Sequence, residues 1–199
     1  MIEAFLVSTG IVALAEIGDK TQLLAFMLAA KFRKPMPIIA GIFVATILNH
    51  AGAGALGAWL QTLVAPEVLR WIVGIGFLAM AIWILVPDKV DTESTNAARF
   101  GVFGTTVVAF FLAEMGDKTQ IATVALAAKY SSFYMVVLGT TFGMMLANVP
   151  AVLLGHKLAE KLAASKHLKI IHAVVAAIFA ILGVATLVAG KSLSGWLAG

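Results

Sequence analysis

The chain has 199 residues, of which 61% are hydrophobic and only 12% charged, with a formal charge of +4. Soluble domains average about 25% charged residues, so a water-solvated globule is excluded, and basic residues spread over short loops do not make a nucleic-acid surface. With no cysteine, there is no disulfide framework, no thiolate metal site and no cysteine nucleophile.

Six segments are long enough to cross a bilayer, for which about 20 apolar residues suffice. The first covers residues 4–30 and lacks a basic n-region, so it reads as a retained helix rather than a cleaved signal peptide. The turn Lys31-Phe32-Arg33-Lys34-Pro35 follows. The second span covers 37–63, and Pro66 opens the third, which ends near Pro87. Residues 88–99 hold Asp, Thr, Ser and Asn and read as a solvated loop. The fourth span covers 101–128, the fifth 133–154 and, after a basic loop at 156–169, the sixth 170–189. Pro150 is expected to kink the fifth span, and Gly139 and Gly143 to pack helices closely. Trp59, Trp71, Trp83 and Trp196 lie near span ends, where they suit an aromatic belt. His156, His167 and His172 read as loop or interfacial residues.

The chain repeats itself. Ala15-Glu16-Ile17-Gly18-Asp19-Lys20-Thr21-Gln22 recurs as Ala113-Glu114-Met115-Gly116-Asp117-Lys118-Thr119-Gln120, 98 positions later. At that offset Phe5–Phe32 and Phe103–Tyr130 agree at 13 of 28 positions. The second span of each half carries an asparagine, Asn49 or Asn148. Three spans per half is odd, so the second half enters the membrane in the opposite direction. The expected fold is an all-α membrane protein of six transmembrane helices. Residues 1–87 and 101–199 form two inverted three-helix repeats, joined by a cytoplasmic linker at 88–100. With the N-terminus outside, the cytoplasmic loops hold nine basic residues and the outer loops hold three, Arg70, Lys129 and Lys191. That bias places both termini outside.

Each charge at mid-membrane costs about 2.5–3.5 kcal/mol on insertion scales, so an acidic motif carried twice points to function. On a continuous helix, positions i and i+3 share a face. Glu16 with Asp19, and Glu114 with Asp117, would then converge near the midplane. Gly18 and Gly116 allow close helix approach or local unwinding that frees carbonyls. Thr21, Gln22, Thr119, Gln120, Asn49 and Asn148 add neutral oxygens. An all-oxygen set suits Mg²⁺, Ca²⁺ or Mn²⁺. His50, beside Asn49, is a candidate softer ligand or proton carrier, and Met115 a weaker candidate thioether. Four carboxylates and two lysines sum to −2, which one divalent cation or two protons neutralise. Exchange of metal for protons follows from that balance. The competing structural reading makes Glu16–Lys20 and Glu114–Lys118 i,i+4 ion pairs that only lock helices.

Two copies of E-x-G-D-[KR]-[ST] in a small six-span protein resemble the Golgi/bacterial cation–proton antiporter family. Glu16, Gly18, Asp19, Lys20 and Thr21 match the first motif, and Glu114, Gly116, Asp117, Lys118 and Thr119 the second. The resemblance covers nearly the whole chain. It implies a secondary transporter, not an enzyme, that moves Mn²⁺ or Ca²⁺ against protons and holds no resident cofactor. The short linker and the absence of a long N-terminal extension resemble the bacterial members, whose association is with Mn²⁺ export across the inner membrane. The expected partners are the metal ion, protons and the lipid bilayer, with no nucleic acid. Glu16, Asp19, Glu114 and Asp117 are the expected metal and proton ligands, with Lys20 and Lys118 standing in for the cation at an empty site. Alternative readings are an exporter of small organic cations or amino acids, a passive cation channel, and a membrane metalloenzyme. A channel usually draws on several subunits, and a metalloenzyme would need a histidine triad or nucleophile that this chain lacks.

Overall fold

The computed structural model describes residues 1–86, 100–130, 132–154 and 167–197, with backbone only at 167–169 and 189–197. The linker expected at 88–100, apart from residue 100, lies outside the described residues. So does most of the basic stretch 156–169, and so does the side chain of Trp196.

The described residues form eight helices: α1 (Ile2–Ala15), α2 (Lys20–Phe32), α3 (Pro35–Leu63), α4 (Pro66–Trp83), α5 (Gly101–Glu114), α6 (Lys118–Tyr130), α7 (Phe133–Leu154) and α8 (His167–Leu197). Four contain stretches long and apolar enough to cross a membrane: Pro35–Leu63, Pro66–Trp83, Phe133–Leu154 and Ile170–Val188. Prolines set two of the starts, Pro35 in α3 and Pro66 in α4, where a missing N–H costs nothing and φ is already helical.

The stretches 4–30 and 101–128 are not continuous helices. Each breaks at its motif, at residues 16–19 and 115–117. The cause is local. Gly18 and Gly116 adopt φ of +80° and +75°, a left-handed conformation that ends a helix and that only glycine enters freely. The turn then closes identically in both copies, with Asp19 N donating to Glu16 O and Asp117 N to Glu114 O, each at 3.1 Å. The shared helical face expected for Glu16 and Asp19 is therefore replaced by a turn. Asp19 is the N-cap of α2, with extended backbone (φ −77°, ψ 168°), a position that favours aspartate. By contrast, α7 runs through Pro150 as one helix.

The helices α3 and α7 pack on each other and hold the broken ones. α7 lies against α1 and α2, and α3 against α5 and α6. Small residues set these approaches. A Cβ on Gly41 would sit 3.0 Å from the Phe103 carbonyl and 2.7 Å from Thr106 Cβ. One on Gly139 would meet Phe5 O at 2.5 Å and Ser8 Cβ at 3.0 Å. All three pairs, Gly41/Gly139, Phe5/Phe103 and Ser8/Thr106, are 98 apart in sequence, so the same contact is made twice. Gly143 packs against the backbone of Thr9 and Ala13, so the glycine pair at 139 and 143 does serve close helix packing.

The remaining helices break this symmetry. α4 and α8 pack on each other, with α4 also against α6 and α8 against α1. One apolar core joins α1, α4, α6, α7 and α8 around Phe77, Leu126 and Phe179. A second joins α2, α3, α5 and α7 around Phe26, Ile42 and Phe110. Outward faces carry Leu48, Leu56, Ile75, Ile82, Phe142 and Leu146 in exposed positions, while among the described residues eighteen polar or charged ones are buried inside. Apolar outside and polar inside is the arrangement hydrocarbon solvent selects. Trp59, Trp71 and Trp83 are among the exposed residues.

Candidate metal centre at the two helix breaks

Each copy of the motif builds the same small frame. Gln22 Oε1 accepts the Gly18 amide at 2.9 Å, and Gln120 Oε1 accepts the Gly116 amide at 2.7 Å. The glutamines thus cap the turns, taking up N–H groups that a helix break exposes. Thr21 Oγ1 donates to Glu16 Oε2 at 2.6 Å, and Thr119 Oγ1 to Glu114 Oε2 at 2.9 Å. One oxygen of each glutamate is anchored this way. The other, Oε1 of Glu16 and of Glu114, is fully buried with no hydrogen-bond partner.

Both glutamates are 0% exposed, and Asp19 and Asp117 are buried with them. One oxygen each from Glu16, Asp19 and Asp117 lie within 4.8 Å of one another. The trio draws on both copies, two residues from the first and one from the second. Glu114, the fourth expected ligand, stands outside it. Lys20 Nζ reaches Asp117 Oδ1 at 2.7 Å, so the first-copy lysine pairs with the second-copy acid rather than with Glu16. Lys118 is buried and donates to the Val86 carbonyl at 3.0 Å, just past α4.

The second spans join the two frames. Gln22 Nε2 donates to Ala147 O at 3.0 Å, and Asn49 Nδ2 to Phe111 O at 3.1 Å. Gln120 Nε2 lies 3.4 Å from Asn49 Oδ1. Asn148 Nδ2 donates to Met144 O at 3.1 Å within its own helix, leaving its buried Oδ1 without a partner. Buried polar atoms are nearly always paired. Here the orphans include three acceptor oxygens, of Glu16, Glu114 and Asn148, and such acceptors call for a cation or a proton.

Other candidates fall away from this cluster. Met115 is 54% exposed and offers no thioether to the trio. His50 is fully buried with neither ring nitrogen hydrogen-bonded, yet it is not one of the clustered ligands. His172 is drawn in instead. Its Nε2 lies 3.3 Å from Ile17 O, inside the first break. No pattern in the sequence marks that contact, because it depends on how α8 docks against α1.

The electrostatics come from helix ends. α1 and α5 bring C-terminal carbonyl ends to the breaks, and α2 and α6 bring N-terminal amide ends, so fixed dipoles of both signs meet there. Such a centre can hold a hard divalent cation on oxygen ligands, or hold protons on the same oxygens.

Comparison with known proteins agrees with this chemistry. Over 181 residues the chain is 50% identical to a Vibrio cholerae protein named "Putative manganese exporter", covering 90% of this chain and 88% of the relative. It is 29% identical over 189 residues to GDT1-like protein 3 of Oryza sativa, covering 81% of this chain and 67% of the relative. It is 27% identical over 184 residues to a GDT1-like protein of Synechocystis, covering 81% and 89%. No solved structure matches the chain. The family model described as "Divalent cation/proton antiporter GDT1" matches residues 4–92 and 102–194, and the chain belongs to that family of transporters.

Proposed function

We propose that the protein exports Mn²⁺ from the bacterial cytoplasm in exchange for protons, using one site built from both motif copies. The observation that carries this reading is the buried trio of Glu16, Asp19 and Asp117, whose oxygens approach within 4.8 Å across the two repeats. Three carboxylates this close repel one another unless a cation or protons are present. Glu114 completes the set when the metal is bound. The Lys20 ammonium on Asp117 stands in for the cation when it is absent. Calcium would fit the same oxygens. Manganese is favoured by the name of the Vibrio relative, and family membership favours a metal ion over an organic cation.

In this reading α1 with α2, and α5 with α6, are two discontinuous spans, which makes six crossings in two inverted repeats, 1–87 and 101–199. Contacts at the two ends of the bundle support it. At one end Tyr130 OH donates to Glu3 at 3.4 Å, Gln61 Nε2 to the Ala127 and Ala128 carbonyls, and Arg70 to Leu187 O. At the other end Phe32, Ile38, Val102 and Val152 share a core. α1 therefore starts at the end where α6 finishes, and α5 starts at the opposite end. The excess of basic loop residues supports an inner location for the second end.

The two lysines carry the asymmetry of the cycle. Lys20 pairs with Asp117, and its counterpart Lys118 donates to the Val86 carbonyl just past α4. In the oppositely facing state the roles exchange: Lys118 takes Asp19 and Lys20 lets Asp117 go. Protons or metal arriving at the acids release the lysines, so only a loaded site passes between states.

Flux into proteoliposomes tests the assignment. An imposed pH gradient drives Mn²⁺ uphill toward the acidic side, and Glu16→Gln, Asp19→Asn, Glu114→Gln and Asp117→Asn each lower the rate at least about tenfold, the loss expected for one charge-assisted ligand. Two of these variants running at the parent rate would refute the shared site.

A further inference from the structure

The end of the bundle at which α3 hands over to α4 contains a cavity of about 370 Å³ that is remote from the motif acids. Its polar lining is Arg70, Lys129, Gln61 and Thr186, over an apolar floor that includes Leu69 and Val73. Among the described residues, no carboxylate lines it. This volume falls within the range of small-ligand sites.

The acceptors around the cavity are already used. Gln61 Nε2 sits 2.7 Å from both the Ala127 and Ala128 carbonyls, capping the negative end of α6. Arg70 Nη1 donates to Leu187 O at 2.5 Å. A guanidinium has five N–H groups, so most of its donors remain. Lys129 is half-buried, with Nζ 5.7 Å from the Phe77 ring and 5.4 Å from the Tyr130 ring. Among the described residues it forms no ion pair. The acids of this end are engaged outside the cavity. Glu3 accepts the Tyr130 hydroxyl and its charge also reaches Lys129, yet it does not line the cavity, and Glu67 is 80% exposed at 3.6 Å from Arg70 Nη2. The first turn of α4 adds its positive end beside Pro66. A half-open pocket with two cations, a helix N-terminus and no acid among its described lining residues has the charge of an anion site.

We propose that this cavity binds a phosphate group, with Arg70 and Lys129 as its two cationic contacts. The surroundings favour the phosphodiester of an anionic lipid over free phosphate. Trp59 and Trp71 are exposed on α3 and α4, and the Arg70 guanidinium lies 5.6 Å from the Trp71 ring. Exposed tryptophans at helix ends mark headgroup depth, so a lipid phosphate lies level with the cavity mouth, and Leu69 and Val73 suit the glycerol and upper acyl carbons.

Thermal unfolding of the purified full chain in a neutral detergent tests this, with added phosphatidylglycerol, phosphatidylcholine or inorganic phosphate. Phosphatidylglycerol raises the Tm of the parent and phosphatidylcholine does not. Lys129→Gln weakens the apparent affinity about fivefold, as one interfacial cation should. Arg70→Gln with Lys129→Gln weakens it about 25-fold if the two add. Lys34→Gln, at the opposite end, leaves it unchanged. Arg70 also holds the Leu187 carbonyl, so if the double variant fails to fold, Lys129→Gln alone decides. Inorganic phosphate alone reproducing the Lys129-dependent shift would assign the same site to free phosphate. Equal stabilisation of parent and Lys129→Gln by phosphatidylglycerol, or no stabilisation of the parent by either anion, would overturn the proposal.

Discussion

Glu16 and Glu114 each give one oxygen to a threonine five residues on and keep the other unpaired in the interior. The motif residues were legible in the sequence because acids, lysines and amides stand out where every neighbour is apolar, and because they recur 98 positions apart. Their conformation was less legible. Gly18 and Gly116 admitted either close packing or unwinding, and a propensity reading carries straight through one glycine. Only the positive φ decides it. That gives a residue-scale prediction. A Cβ on Gly116 would meet nothing within 4 Å, so Gly116→Ala has no steric penalty and only the left-handed backbone cost of about 1–2 kcal/mol. Reversible denaturation in mixed micelles should show a loss of that size. A loss near zero would mean that the break does not depend on the left-handed turn.

At the scale of elements, the long apolar helices α3, α4, α7 and α8 lie where hydropathy puts them, since length and apolarity suffice to read a span. The partner of Lys20 was not readable. An i,i+4 rule points it at Glu16, but the break turns it toward the other repeat, and the register of that approach is set by Gly41, Gly139 and Gly143 against helix backbones. The proposed exchange of lysine partners makes opposite predictions for two equivalent residues. Ser8 and Thr106 are repeat-related and both buried, so Ser8→Cys and Thr106→Cys report opening from the two ends of the bundle. Lys20→Gln should shift the ratio of their labelling by water-soluble thiol reagents about tenfold one way, the worth of one charged hydrogen bond. Lys118→Gln should shift it the other way. Shifts in the same direction would remove the exchange.

For the whole molecule, the inverted reading makes distant residues share a face of the membrane. Lys34→Cys and Phe100→Cys should label from the cytoplasm, and Glu67→Cys and Ser132→Cys from outside. The parent has no cysteine to confuse the assay. Labelling of Lys34→Cys and Ser132→Cys from one side would break the inverted repeat. The off-axis packing of α4 on α6 and of α8 on α1 could not be read from the sequence, because it depends on how helices distant in the chain dock on one another. It is also where the two halves are least alike, as expected of a transporter caught facing one way.

The central claim is that both motif copies make one site that metal and protons share, and calorimetric Mn²⁺ titration of the purified chain across a pH series tests it most directly. Metal ligands must be deprotonated to bind. The account predicts one Mn²⁺ per chain, proton release on binding, and an affinity that falls by up to about a hundredfold per pH unit where two protons are displaced. Asp19→Asn and Asp117→Asn, from different copies, should each abolish that single event. Two independent sites per chain, or an affinity indifferent to pH with no proton release, would contradict it.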